Sequence, residues 1–199
     1  MIVLRCALVV TAICCFFADP ACAHANRSEI DGFLSGFIHP FSGLDHILAM
    51  VAVGIWGAQL KRPAIWLLPL AFPVMMSLGG VLGIRGIAIP WVEIGVAGSA
   101  LVLGAVIALE ARPPLWFAIA IVATFGVFHG HAHGTELPKA ASPLSFALGF
   151  VLATGVLHAS GILIGLLNHW PIGSRLLRAM GVSIAMIAVY TLAGLGLRI

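Results

Sequence analysis

From residue 33 onward the chain alternates long apolar runs with short polar interruptions. The runs cover approximately 33–58, 64–82, 91–110, 114–131, 144–167 and 175–197. Each is close to the ~20 residues a helix needs to cross a bilayer. None shows the turn-separated alternation of a membrane barrel, and backbone groups in lipid must bond within their own segment, so the runs predict helices. The connecting segments are short, which predicts antiparallel neighbours. The expected fold is an all-α integral membrane protein, a six-helix transmembrane bundle forming one domain over residues 24–199.

Residues 1–23 carry a different pattern. Arg5 precedes an apolar run from Cys6 to Ala18, Asp19-Pro20 interrupts it, and Ala21-Cys22-Ala23 supplies small residues at alternate positions. That is the layout of a cleavable secretory signal, with an apolar core too short to span. Cleavage is expected after Ala23, with Ala25 the next choice. It would remove all four cysteines (Cys6, Cys14, Cys15 and Cys22) and with them any thiol chemistry. It would also free an amine at His24, beside an imidazole able to chelate metal. An exported N-terminus and six spans put both termini outside. Lys61, Arg62, Arg112, Arg175 and Arg178 then fall inside, against Arg27, Arg85, Lys139 and Arg198 outside. That cation bias supports the orientation only slightly. The expected location is a bacterial inner membrane, with both termini periplasmic.

Composition agrees with lipid as the solvent. Of 199 residues, 61% are hydrophobic and only 9% charged, against about 25% charged in soluble domains. This excludes a soluble enzyme, a disulfide-stapled module and a disordered tail. The net charge of +3 is too small and scattered for nucleic-acid binding. Glycines recur at four-residue spacing: Gly32/Gly36, Gly79/Gly83, Gly161/Gly165 and Gly126/Gly130/Gly134. Small residues on one helical face let backbones approach closely. Trp56, Trp66, Trp91, Trp116 and Trp170 fall near span ends, where interfacial anchors sit.

With so few charges, the ionisable residues stand out. The first span contains His39-Pro40-Phe41-Ser42-Gly43-Leu44-Asp45-His46. In an ideal helix His39 and His46 share a face but lie about 10 Å apart along the axis, too far for one ion. Pro40 and Gly43 favour a distortion that brings His39 toward Asp45 and His46. The fourth span ends Phe128-His129-Gly130-His131-Ala132-His133-Gly134-Thr135-Glu136. His129, His133 and Glu136 share a face, and an i,i+4 histidine pair is how one helical turn offers two imidazoles to one metal. His131 points the other way.

In the predicted topology both clusters lie near the outer surface, with Glu93 at a similar depth. Ionisable groups at membrane depth are costly and line polar pathways or pair with one another. Imidazole and carboxylate without thiolate suit divalent Ni, Co, Zn or Fe. Hydrogen bonding between helices and a proton relay are the competing readings of the same histidines. His158, inside the fifth span, is either a deeper ligand on the path or a helix–helix hydrogen bond. His169 and Glu110, at the inner side, read as solvated.

These motifs resemble the HupE/UreJ family of small bacterial metal permeases. The family's His, five residues, Asp-His pattern matches His39, Asp45 and His46. Its Phe-His-Gly-x-Ala-x-Gly-x-Glu pattern matches Phe128, His129, Gly130, Ala132, Gly134 and Glu136, with His131 and His133 at looser positions. The resemblance covers nearly the whole chain beyond the leader, including the stretch from Ala153 to His158. It implies uptake of Ni²⁺, or in some relatives Co²⁺, for hydrogenase or urease, whose maturation proteins are then possible partners. The metal is cargo, and no resident cofactor is expected. The expected ligands are His39, Asp45, His46, His129, His133 and Glu136, with His131, His24, Glu93 and His158 as secondary candidates. The sequence contains no Gly-x₄-Gly-Lys-Ser/Thr, so transport is passive or ion-coupled unless an ATPase subunit joins it. Two other readings remain: an intramembrane zinc hydrolase using the same cluster to activate water, and a metal sensor or scaffold of a maturation complex.

Overall fold

A computed structural model describes residues 27–136 and 142–196. The expected leader and His24 lie outside the described residues. Every described element is helical: α1 (Arg27–Ile38), a 3₁₀ turn (His39–Phe41), α2 (Leu44–Leu60), α3 (Ala64–Ile84), α4 (Val92–Ala108), α5 (Leu115–Glu136), α6 (Pro143–Gly165), a second 3₁₀ turn (Leu166–His169) and α7 (Pro171–Gly196). Four stretches are long and apolar enough to span a membrane: Ala64–Ile84, Leu115–Thr135, Pro143–His169 and Pro171–Leu195. The bent pair Ile30–Ser42 and Leu44–Leu60 supplies a fifth if taken together. α4, at 17 residues, falls just short of the same length.

The first predicted span, 33–58, is therefore not one rod. Its two halves meet at 82°. Pro40 sits in the 3₁₀ turn, where it cannot donate to a helical ladder. Gly43 then takes an extended conformation (φ −109°, ψ 123°), and its carbonyl accepts the first helical bond of α2 from Ile47 N at 3.1 Å. Other boundaries shift less. α5 continues past the expected end at 131 to Glu136, and α7 starts at Pro171, a residue suited to the first helical position.

α2 occupies the middle of the bundle. Its buried residues run almost without interruption from Ala49 to Gln59, and it packs against α3, α4 and α6. α3 lies along α5, α4 along α7, and α1 along α6. The spaced glycines set these approaches: a Cβ on Gly130 would run into the Met76 backbone, and one on Gly79 into the Val127 backbone. The core includes Met50, Trp56, Leu68, Phe72, Leu103 and Leu177. Large apolar side chains such as Leu70, Val74, Trp116, Leu163 and Met186 face outward, as they do when lipid surrounds the bundle.

Two polar expectations need correction. Trp66, Trp91, Trp116 and Trp170 are exposed, but Trp56 is fully buried and its indole N–H donates to the Ala111 carbonyl at 3.0 Å. It is a core residue tying α2 to the α4–α5 connection, not an anchor. Glu110 is half-buried and accepts a hydrogen bond from the Ser174 hydroxyl, whereas His169 is exposed as expected.

Candidate metal site

The break between α1 and α2 does what a straight helix cannot. It turns His39 back so that His39 and His46 both meet His133 of α5, with ring centroids 4.7 and 4.5 Å away. His46 also meets His129 at 5.1 Å. Four imidazoles from the two sequence motifs thus share one site, reached across more than eighty residues of chain. The turn is tight at Gly43: a Cβ there would come within 2.5 Å of His46 Nδ1 and 2.7 Å of Asp45 Oδ1.

Each ring is oriented by a second contact. His46 Nδ1 lies 2.8 Å from Asp45 Oδ1, and a carboxylate can only accept, so Nδ1 carries the proton. His129 Nδ1 lies 3.0 Å from the Phe125 carbonyl, so there too Nδ1 donates. His133 Nδ1 pairs with His39 Nε2 at 2.9 Å. A neutral imidazole whose Nδ1 donates presents a bare lone pair at Nε2. The Nε2 atoms of His46, His129 and His133 are all buried and without a hydrogen-bond partner. Orphaning a buried polar atom costs roughly 1–3 kcal/mol, so three at one site are not explained by helix packing. Second contacts of this type fix the tautomer of metal-ligating histidines.

Aromatic side chains wall the cluster. Phe150 packs on His133 at 4.6 Å, Phe146 on His39 at 5.7 Å and Phe72 on His129 at 5.3 Å. Two cavities flank it. One of about 280 Å³ lies between α2, α4 and α7, with Asp45 in its wall beside Ala97 and Thr191. The other, about 220 Å³ and almost wholly apolar, lies between α3, α5 and α6, with His133 in its wall. Asp45, at the first turn of α2, is the acidic group in contact with the histidines. As placed, no three His, Cys, Asp or Glu side chains among the described residues form a closed cage for an ion. The rings lie against one another, so coordination would require them to part.

The remaining candidates separate clearly. His131 faces away, and its Nε2 donates to the Ile87 carbonyl at 2.7 Å, pinning the α3–α4 connection to α5. Glu93 is exposed on the first turn of α4 and makes no hydrogen bond or ion pair with the cluster. Glu136 ends α5, its side chain outside the described structure. His158 is buried on α6, where its ring meets Phe72 at 5.5 Å between ring centroids. Phe72 was missed in the sequence reading. The available signal was its position between Pro69 and Pro73, two prolines inside a predicted span.

Comparisons with known proteins place the chain in a family. Protein HupE of Rhizobium leguminosarum bv. viciae is 42% identical over 186 residues, covering 93% of this chain and 97% of that one. DNA translocase FtsK of Mesorhizobium japonicum is 27% identical over 189 residues, covering 79% of this chain but 21% of that protein. No solved structure matches. The family described as HupE / UreJ protein matches residues 12–191. The chain belongs to the HupE / UreJ family.

Proposed function

We propose that the protein is an uptake permease for a divalent transition metal, Ni²⁺ foremost and Co²⁺ second, supplying nickel enzymes such as hydrogenase or urease. The observation that carries this reading is the set of three buried, unpartnered Nε2 atoms on His46, His129 and His133. Neutral imidazoles replace part of the ion's hydration shell, and Asp45 offsets its charge. His39 Nε2 pairs with His133 Nδ1 at 2.9 Å, and His39 is itself close enough to bind once the rings part. Glu136, three residues beyond His133 at the end of α5, is a further ligand in this reading. The direction is from the periplasmic side inward, with both termini outside an inner membrane and the leader removed.

A loosely assembled site suits transport. Conduction needs binding favourable enough to take up the ion and weak enough to release it, and a preformed cage would hold it. Divalent affinities rise from Co²⁺ through Ni²⁺ to Cu²⁺, so selection for Ni²⁺ rests on geometry and supply.

The test is ⁶³Ni²⁺ uptake into sealed proteoliposomes containing this protein alone, with His46→Ala and His129→Ala beside the wild type. Saturable uptake that resists excess Mg²⁺ and falls more than about a hundredfold in both variants supports the proposal, since loss of even an orienting partner commonly weakens a metal site 10–100-fold. Uptake unchanged in either variant would refute this ligand set.

A further inference from the structure

Behind the cluster the bundle holds a second group of polar atoms that the capture site does not use. His158 on α6 is 2% exposed, and its Nε2 has no partner. Thr154 is fully buried one helical turn earlier on the same face, and its hydroxyl is also unpartnered. The Pro69 carbonyl of α3 lies beside the His158 ring. That carbonyl has lost its helical partner, because residue 73, four positions on, is a proline without an N–H. A ring nitrogen donating to that carbonyl would leave the lone pair at Nε2. This is the same orientation logic as at His46 and His129.

The placement relative to the capture site is specific. Phe72 touches both groups, its ring 5.3 Å from His129 and 5.5 Å from His158. At a rise of about 1.5 Å per residue, His129 lies about 10 Å from the Glu136 end of α5. On the same rise Thr154 lies about 16 Å and His158 about 22 Å from the Pro143 end of α6. The two helix ends are joined by residues 137–141, so they lie at one end of the bundle. Along α6, Thr154 and then His158 lie progressively farther from the end at which Phe146 and Phe150 wall the outer histidines.

We propose that His158 and Thr154 form a second, inner binding station for the transported divalent cation, reached past Phe72 from the outer histidines. One imidazole and one hydroxyl bind more weakly than several imidazoles, so the inner station passes the ion on, and its occupancy by a second cation would drive release by repulsion. This proposal rests on the capture-site reading, and the experiment separates the two.

Purified wild type, His158→Leu and His158→Cys are compared for equilibrium ⁶³Ni²⁺ binding in detergent and for Ni²⁺ and Cd²⁺ uptake in proteoliposomes. Leucine keeps the ring's bulk approximately and removes the ligand. The expected result is near wild-type affinity at the outer capture site in both variants and Ni²⁺ uptake at least about tenfold slower in His158→Leu. In His158→Cys the soft thiolate should raise the Cd²⁺-to-Ni²⁺ uptake ratio about tenfold. A helix-packing role cannot change that ratio. Wild-type uptake by His158→Leu, or an unchanged ratio in His158→Cys, overturns the inner station while leaving the capture site standing. If His46→Ala binds Ni²⁺ as well as wild type in the same detergent assay, the capture-site reading fails, and the inner station fails with it.

Discussion

α5 and the α1–α2 pair deliver histidines to the same place by opposite means. α5 is a continuous helix, and its regular spacing alone puts His129 and His133 on one face and His131 on the other. The α1–α2 pair delivers His39 and His46 only because its helix is broken: they are seven residues apart, and the 82° bend sets both rings against His133. A regular element supplies precision without special residues. A broken one reaches farther but depends on Pro40 and Gly43 at the turn, and on Asp45 to hold the returning ring.

That contrast is open to attack at the turn. Gly43→Ala places a methyl against His46 Nδ1 and Asp45 Oδ1 while leaving the α3–α5 interface untouched. It should lower Ni²⁺ affinity by ~10–100-fold, as the loss of ligand orientation does elsewhere. Thermal unfolding should move little, because the atoms displaced belong to the part-exposed Asp45 and to a side chain at the site. A large fall in unfolding temperature with affinity retained would instead make the turn a packing element.

A smaller effect is expected from Asp45→Asn, which keeps the shape but no longer obliges His46 Nδ1 to carry the proton. Affinity should fall by roughly tenfold, and Asp45→Glu should not restore it fully, since the 2.8 Å contact is made between adjacent residues. An Asn variant indistinguishable from wild type would limit Asp45 to a bystander in the wall of its cavity. The smallest change is with pH. Metal and protons compete for imidazole nitrogen, so uptake should decline as the pH falls. Uptake rising on acidification would indicate proton coupling stronger than this competition.

The difference between the two regions also explains what the sequence made legible. The α5 face needed only helical periodicity, and the structure repeats it. The bend in the first span was foreshadowed by Pro40 and Gly43, but its angle comes from how α1 and α2 each pack against α6, with α2 also held by α3 and α4. Neither contact is visible locally. Trp56 was misread for the same reason: position near a span end does not say which side of the helix faces lipid, and Trp56 faces the core. Glu93 has the right depth on a helix that aims it outward. His158 could not be decided from sequence, because its meaning depends on Phe72 and on a carbonyl freed by Pro73, both on another helix.

The central claim is that imidazoles from both motifs close around one ion. X-ray absorption at the nickel edge of the metal-loaded protein, with His46→Ala and His129→Ala alongside, reads it directly. The account predicts multiple-scattering features of at least three imidazoles in the wild type and one fewer in each variant that still retains metal. A spectrum of oxygen ligands alone, or an imidazole count unchanged by both substitutions, would contradict it.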